Sequence, residues 1–597
     1  GIDGTVKKNR MAVIRSSSAM MVGSQNANRE WFYSQQQTVS AEGYSGQAFN
    51  PHFAHTTSGK GTTKSCTDCH LSKANDNNAW MTQLLGFGTG TVNFFGRYAW
   101  MGGDESLYGV IWTESDEPQS VIGSSMHKLA YPRNYQEHLD RGRILKGTDR
   151  RGYEDGAFHH DARVINDLTM RGEYLYTANG FGGFEVFDIA NIDQKGFSER
   201  IVSSPVSPLG QKTYVRSKFA TSVALPSTLI NDPKRVRLPV NEEQPIHAIY
   251  GYAFVTDREE GLYVVDVSAL LDGNPENNFL KRARLHDEKG AIGDSFNPGG
   301  VLTGAEYAVC AGHRVYVCTP RGLAVVNVEE PEKPHLVGEL ADGFLRNPKA
   351  VSIQFQYAFV TDDDGLKVVS LANPDQPRAI PKAVVALRHA HKLYVARTYA
   401  YVANGAEGLA IIDVENPERP KLDQMFNAEG AINDAHAVQI GSVAASMYAL
   451  VADGHNGLRV VQLISPDTVE GAAGFSPRPA PRLIASYPTK HEMLAVSRGL
   501  DRDRVVDETG GQTVVFGRRG SRPFHIEEMR AFLRHKDGSQ IRVADVKEVN
   551  GKLVTKGGGG LKEPLAPRIV PTPSTERPAF EPEFLNTTEL PLPPAIP

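Results

Sequence analysis

The sequence predicts an all-β protein built around a β-propeller, because one short strand pattern recurs six times between Gly172 and Pro466. Each copy has two β-branched or aromatic runs joined by a loop that ends in glycine, which is typical of a β-hairpin. The loop glycines are Gly183, Gly261, Gly322, Gly365, Gly408 and Gly457. The shortest spacing between them is 43 residues. Units this small cannot bury two faces alone, so they must stack as blades around an axis.

Within one unit, each element follows from local residue types. An Asp or Asn opens most of the hairpin loops, and Gly supplies the positive φ that the turn requires. The second strand is an apolar run such as Leu409–Val414. A turn with two prolines follows in three units, as at Asn416–Pro420, and takes the chain out of the sheet. Six blades are visible. We favour seven, the last closed by strands from residues 480–560 or from the stretch before residue 160.

The repeats carry a resemblance as well as a fold. The words YAYVA at 399–403, GLAIIDV at 408–414 and NPERP at 416–420 resemble LVIVD-repeat propellers, over about residues 160–470. We expect the propeller to span residues 155–490, with an insertion at about 194–245. Residues 491–562 form a C-terminal segment that could help to close it. Ten prolines in residues 563–597 predict an extended tail, which we expect to lie across a neighbouring subunit.

Candidate chemistry lies near the start of the chain, at Cys66-Thr67-Asp68-Cys69-His70. This is the pattern of covalent c-type haem attachment. Two thiols spaced by two residues can bond the two vinyl groups of one porphyrin, and the adjacent imidazole can bind the iron. A zinc site built from Cys66, Cys69 and two nearby histidines is the alternative. We predict haem c as the cofactor, in a mostly irregular segment that spans residues 1–130.

A His-x-x-His sequence formed by His52 and His55 precedes this motif, and the two together resemble multihaem c-type cytochromes over about residues 30–105. That resemblance implies that both histidines are iron ligands, one for the local haem and one for a neighbouring haem; which serves which stays open. The chain has one attachment motif, so other haems would belong to an upstream portion or to partner cytochrome subunits. A methionine ligand, Met81, Met101 or Met126, is the alternative.

Aromatic residues concentrate in the same segment. They could shield the porphyrin from water, or they could pack the core of a small module. These residues are Trp31, Phe32, Tyr33, Trp80, Phe95, Tyr98 and Trp100.

When the repeats are aligned, one residue of the strand that precedes each hairpin occupies the same position in every repeat. These residues would line the central channel if that strand faces the propeller axis. They are Asp167, His247, Tyr307, Lys349, Lys392 and His436. Such a ring could bind an anion or a metal, although a water-filled channel is polar in any case. For an active site in the channel, His247 and His436 are the first candidates.

Other polar clusters have ordinary structural interpretations beside functional ones. His159 and His160 with Asp161, and His389 with His391, are candidate ligands or hydrogen-bonded loop residues. The sequence Asp362–Gly365 lacks the ligand series of a calcium loop, so it predicts a hairpin turn.

The two remaining cysteines are Cys310 and Cys318. They flank a tight turn that would pair residue 310 with residue 315. Cys318 would then lie beyond bridging distance, so we expect free, buried thiols.

Charge and motif content exclude several function classes. The chain has 64 basic and 69 acidic residues and no basic stripe, so nucleic acid and anionic membranes are not expected partners. It has no run of 18 apolar residues, so no transmembrane helix is predicted. Motifs for serine hydrolysis or nucleotide binding do not occur in a credible context.

The patterns together predict an extracytoplasmic c-type cytochrome of a prokaryote, periplasmic or at the cell surface, because haem is attached covalently outside the cytoplasm. It would relay single electrons, with the propeller as a docking platform in a larger multihaem assembly. One alternative is a haem enzyme with a site in the propeller channel. The other is a structural or adhesive surface protein with an accessory haem. Electron transfer is favoured over catalysis.

Overall fold

The computed structural model describes residues 98–497 with internal gaps and, outside that range, the backbone of a few strands. The gaps are residues 105, 115–120, 142, 150–163, 172–173, 189–213, 227–247, 269–278, 287–291, 444–445 and 471–475. The outlying strands are Ser16–Gln25, Trp31–Ser40 and Ser45–Phe49 in one sheet, Ala79–Leu84 paired with Thr91–Gly96, Arg518–Arg519 with Arg522–Pro523, and Asp545–Val549 with Lys552–Lys556.

Seven sheets, each containing four antiparallel strands, form a seven-blade β-propeller; the four strands follow chain order in six of the blades, and the seventh combines strands from both ends of the propeller. The first strands of neighbouring blades contact one another around the ring, so the first strand of each blade is the inner one. The predicted fold class is confirmed, as is the preference for seven blades. Among the described residues there is no helix with the length and apolar character needed to span a bilayer.

The first six blades follow the chain, and their strands are given from the axis outward. Blade 1 contains Asp167–Arg171, Tyr174–Ala178, Phe184–Asp188 and Tyr214–Val215. Blade 2 contains Ala220–Ala224, Tyr252–Asp257, Gly261–Asp266 and Lys281–Arg282. Blade 3 contains Tyr307–Ala311, Arg314–Thr319, Gly322–Asn327 and His335–Leu340.

Blade 4 contains Ala350–Gln354, Tyr357–Asp362, Gly365–Ser370 and Arg378–Ala386. Blade 5 contains Leu393–Ala396, Tyr399–Ala403, Leu409–Asp413 and Lys421–Phe426. Blade 6 contains Ala437–Val443, Ser446–Ala452, Leu458–Ile464 and Arg482–Tyr487, with Arg143–Ile144 as a parallel fifth strand. A short pair, Leu285–His286 with Ile292–Gly293, follows blade 2.

Blade 7 joins the two ends of the propeller. Its inner strand is Met493–Val496, and its other strands are Tyr98–Gly103, Ser106–Ile111 and Lys146–Asp149. Both predicted sources of closing strands therefore contribute to one blade. The strands Tyr98–Gly103 and Ser106–Ile111 of this blade fall within residues 1–130, the range predicted for the haem-binding segment. Likewise, residues 214–215 and 220–224, inside the range predicted as an insertion, form strands of blades 1 and 2.

Two helices connect the strands of blade 7 and hold them against blade 6. Helix α1 is Ser125–Ala130, capped by Ser124, and helix α2 is Pro132–Arg141. Asp467 of blade 6 accepts hydrogen bonds of 2.6 Å from both Lys128 and Tyr135. Short 3₁₀ helices occur at Ala248–Gly251, Pro298–Gly300 and Ala428–Gly430.

A buried ionic cluster lies beneath these helices. The Glu114 carboxylate accepts hydrogen bonds from His127 (2.9 Å), Asn134 (3.0 Å) and the Arg143 guanidinium. Burial alone would raise the Glu114 pKa, but these donors outweigh it and lower the pKa to about 2. His127 Nδ1 accepts the Gly123 N–H, which places the His127 proton on Nε2. A second buried imidazole, His138, lies 5.9 Å from the His127 ring.

The core lies between neighbouring blades rather than at the axis. Between blades 6 and 7, Met101, Trp112 and Tyr448 share one cluster, and the Trp112 and Tyr448 rings meet edge to face at 5.9 Å. Met101, a candidate iron ligand, is fully buried there. Trp100, one of the aromatic residues considered as a haem shield, is also buried in blade 7. Both side chains therefore stabilise the closed ring.

The polar residue that opens a hairpin loop also fixes the chain entering the first strand of the same blade. Its side-chain oxygen accepts a backbone N–H from that incoming chain, at 2.6–3.1 Å. The pairs are Asp257 with Phe219, Asp362 with Arg346, Asn404 with His389, and Asp453 with Asn433 and Asp434. The repeat therefore sets the position of the loops that surround the channel mouth.

Candidate functional site

The predicted haem ligands and attachment residues Cys66, Cys69, His70, His52 and His55 lie outside the described residues. The same holds for His247, His159, His160 and Asp161 and for the tail at 563–597. The described residues bring together a second candidate site, at the mouth of the propeller channel.

A cavity of about 490 Å³ opens where the inner strands begin. Each of the seven blades contributes at least one residue to it from the start of its inner strand, and one such residue per blade forms a ring. These residues are Asn166, Thr221, Glu306, Lys349, His391, His436 and Leu494. In blades 1, 3, 4, 5 and 6 this residue donates its backbone N–H to a carbonyl near the end of the second strand, so the positions are equivalent.

The ring agrees with the predicted alignment at Lys349 and His436, and the predicted Lys392 also lines the cavity beside the ring residue His391. In blades 1, 3 and 5 the predicted residues Asp167, Tyr307 and Lys392 stand one position further along the strand. Moving one residue along a strand moves the side chain to the opposite face of the sheet, and the repeat sequences alone do not define the strand register to one residue. In blade 2 the inner strand is Ala220–Ala224, well before Tyr252–Asp257 in the chain, and its ring residue is Thr221; the predicted His247 lies outside the described residues.

An ion pair crosses the channel next to the ring. Lys392 of blade 5 donates to Asp167 of blade 1 at 2.8 Å and to the Asn166 carbonyl at 2.6 Å. Asp167 also accepts the Ser222 hydroxyl at 2.7 Å. Because blades 6 and 7 lie between blades 1 and 5, this pair spans the ring. Tyr307 lies beside it, and burial together with the Asp167 charge raises the Tyr307 pKa.

Two histidines that line the cavity lie next to each other. The ring centroids of His391 and His436 are 4.8 Å apart. Burial, with the nearby charges of His436 and Lys349, lowers the His391 pKa to about 4, so its imidazole is neutral at neutral pH. His389 is exposed and does not line the cavity. The cavity therefore contains a neutral imidazole that can accept a hydrogen bond or bind a metal.

Charged groups complete the lining. Arg258 and Glu306 form a bidentate pair at 2.9 and 3.2 Å. The Lys349 ammonium is 3.5 Å from Asp363, and both side chains are about one-third exposed. The cavity lining thus carries two ion pairs, each with one partner in the ring, and both are partly exposed to solvent.

Two local predictions are confirmed: the hairpin turn at Asp362–Gly365 and the buried, unbridged cysteines Cys310 and Cys318. Asp362 pairs with Gly365 across a tight hairpin, and its Oδ1 accepts the N–H groups of Asp364 and Gly365. Cys310 pairs with Val315 across the turn, and Cys310 and Cys318 are buried and form no disulfide bond. Burial raises the pKa of the Cys318 thiol, so it is not a reactive thiolate.

The fold and its repeats define a class: a seven-blade β-propeller with LVIVD repeats. The LVIVD repeat model matches residues 246–271 and 387–428. No curated protein is significantly similar to the chain.

Solved structures are similar at 10–13% sequence identity. One is the β-propeller domain of Myceliophteria thermophila Cps50 (Swd1), with 10% identity, a TM-score of 0.32, and coverage of 53% of this chain and 85% of that chain. Another is the computationally designed Ika8 protein, with 13% identity, a TM-score of 0.30, and coverage of 53% and 77%. A third is a nidogen/laminin complex, with 10% identity, a TM-score of 0.30, and coverage of 55% and 92%.

Proposed function

We propose that this protein is an extracytoplasmic c-type cytochrome that relays single electrons and uses its propeller as a docking platform. The observation that carries the proposal is the sequence Cys66-Thr67-Asp68-Cys69-His70. Its donor set fits haem c, with two thiols for thioether bonds and one imidazole for the iron. When bound, haem supplies a one-electron redox centre.

The second iron ligand decides the role. An imidazole from His52 or His55 would fill the sixth position, and a filled position favours electron transfer over binding of small ligands. The other histidine of the pair would serve a haem of a partner cytochrome subunit or of an upstream portion. Such a chain acts in the periplasm or at the cell surface, where haem is attached.

In this proposal the propeller would serve as the anchor of the haem centre. Blade 7 starts at Tyr98, directly after the strand pair Ala79–Leu84 and Thr91–Gly96. His70 precedes Ala79 by nine residues, a reach of at most about 32 Å in extended chain. A haem bound at His70 would therefore be connected, through this stretch of chain, to the blade that closes the ring. The tail at 563–597 would contribute contacts to a neighbouring subunit.

A haem enzyme with a site in the propeller channel is the second candidate. The observation that favours it is the cavity at the channel mouth, where His391 is neutral beside His436. In such an enzyme the iron would keep an open position for a small ligand.

One experiment separates the two candidates. The full chain is produced in a host with c-type haem maturation, and its absorption spectrum is recorded with and without carbon monoxide. A relay gives a low-spin spectrum that carbon monoxide does not change. A high-spin spectrum that changes when carbon monoxide binds would contradict the electron relay and favour the haem enzyme.

Substitutions assign the ligands. Cys66→Ala or Cys69→Ala should weaken covalent attachment, whereas Cys310→Ala, the matched control, should not. Of His52→Ala and His55→Ala, the one that removes the local ligand should make the haem responsive to carbon monoxide. Wild-type protein that carries no covalent haem would overturn the proposal.

A further inference from the structure

We propose that Asp434, His455 and Glu492 form a divalent-metal site on the rim of the channel cavity, suited to a borderline transition metal such as Zn²⁺. One ligand atom from each residue lies within 4.8 Å of the other two. The inference is independent of the haem and concerns residues that the electron-relay proposal does not use.

The site arises from the blade repeat. Asp434 and Glu492 each stand two residues before a ring residue, His436 and Leu494 respectively, and residues two apart in an extended chain share a face. Blades 6 and 7 therefore present two carboxylates side by side. The equivalent residues of the other five blades carry no carboxylate; they are Val164, Phe219, Gly304, Asn347 and His389.

The hairpin loop of blade 6 fixes Asp434 and brings His455 to it. Asp453 accepts the Asp434 N–H at 2.8 Å. Gly454 has a φ of +46°, and a Cβ there would lie 1.9 Å from Asp434 Oδ2. Only glycine therefore leaves room for the carboxylate. The backbone N–H of His455 then donates to the same oxygen at 3.3 Å.

Closure of the ring adds Glu492. Its carbonyl accepts the Asp104 N–H at 2.9 Å, and the next residue, Met493, donates to the Gly454 carbonyl at 3.0 Å. These bonds place Glu492 beside the loop that carries His455. The metal site therefore requires that blades 6 and 7 are joined.

The charges around the site favour a cation. Among the described residues, no Lys or Arg forms a salt bridge with Asp434 or Glu492, whereas the adjacent Asp453 is paired with Arg459 at 3.1 Å. Their shared partner is His436, whose Nε2 lies 3.1 Å from Asp434 Oδ1 and 3.5 Å from Glu492 Oε1. Two carboxylates this close repel each other, and a divalent cation would remove that repulsion. His436 then orients the ligating carboxylates from outside, as such partners commonly do.

The donor set indicates the metal. One imidazole nitrogen with two carboxylate oxygens suits Zn²⁺, which takes His and Asp or Glu at about 2.0–2.2 Å. Ca²⁺ prefers six to eight oxygens, which three side chains do not supply. Three protein ligands leave one tetrahedral position for water.

The test is titration of the full chain with Zn²⁺ by calorimetry, after removal of bound metal by a chelator. We expect one site that Asp434→Asn, His455→Ala and Glu492→Gln each weaken at least tenfold. Asp294→Asn and His335→Ala, exposed residues remote in sequence, are matched controls and should bind as the wild type does. Glu492→Gln is the decisive variant, because it keeps the size of the side chain and removes only its charge, which pairs with His436 at 3.5 Å, so the loop should stay folded.

A crystal grown with Zn²⁺ gives the second measurement. We expect an anomalous difference peak at the zinc edge within bonding distance of Asp434, His455 and Glu492. Binding that all three variants leave unchanged, as at cysteines or histidines elsewhere, would overturn the proposal. So would the absence of binding at micromolar Zn²⁺, or a site that takes Ca²⁺ in preference to Zn²⁺.

Discussion

Gly103 lies where the two ends of the propeller meet, so replacing it by alanine should loosen the ring. It faces the strand Met493–Val496, and a Cβ there would lie 1.8 Å from the Glu492 carbonyl oxygen and 2.8 Å from the Met493 Cα. Its φ is not positive, so alanine adds no backbone strain. The effect of Gly103→Ala is therefore the cost of separating the two strands.

The structure sets the size of that cost. Ordinary contact with a Cβ begins at 3.4 Å, so the strands must move apart by about 1.6 Å. That movement disrupts the 2.9 Å hydrogen bond from Asp104 to Glu492, and because Gly103 shifts with its strand it also distorts the 3.0 Å hydrogen bond from Ile165, in the chain entering blade 1, to Gly103. Each contributes about 1 kcal/mol net. Met493, which is fully buried, also loses packing. We expect a total loss of about 2–4 kcal/mol in the free energy of unfolding.

Urea unfolding followed by far-UV circular dichroism measures this loss as a shift of the midpoint at constant slope. The control is Gly293→Ala, where the added Cβ would be 3.5 Å from the nearest heavy atom, the Ser295 carbonyl oxygen. If Gly103→Ala and Gly293→Ala unfold within about 0.5 kcal/mol of each other, the proposed closure of blade 7 is wrong.

Two further predictions concern buried charge. Burial lowers the pKa of His138 to about 3, so between pH 6.5 and pH 3 the unfolded chain binds more protons than the folded chain. The free energy of unfolding should therefore decrease by about 2 kcal/mol when the pH is lowered from 7 to 5. Urea unfolding at several pH values should show a smaller pH dependence for His138→Leu than for the wild type. Lys392→Met leaves Asp167 buried without its cation and should lower stability by about 2–3 kcal/mol, whereas Lys349→Met, at a solvated pair with Asp363, should cost under about 1 kcal/mol. Equal losses for the two lysine variants, or an unchanged pH slope in His138→Leu, would contradict these assignments.

The repeated sequence segments were sufficient to predict the propeller fold because each one encodes a complete local unit. The Asp, Gly and Pro positions of the segment around Leu409–Asp413 specify a hairpin and a return turn, and stacking follows from the apolar faces. The seventh blade does not repeat these words. Its strand Tyr98–Gly103 contains two glycines. The inner strand that pairs with it, Met493–Val496, is almost 400 residues away in the chain, so this pairing depends on long-range packing.

The channel ring was predictable only in part. Lys349 and His436 follow from the alignment, but the register of Asn166, Glu306 and His391 depends on which backbone N–H bonds the second strand. The rim cluster was missed for a different reason. Glu492 follows the last repeat and meets His455 only in the closed ring, so no spacing in the sequence relates the two residues.

The covalent haem is the claim on which the functional account depends, and one measurement tests it directly. The full chain, produced with c-type maturation, is denatured, extracted with acidic acetone, and assayed for haem that stays on the polypeptide. The account predicts one haem per chain, lost when Cys66 and Cys69 are both replaced by alanine. A folded wild-type chain that retains no haem under these conditions would contradict it.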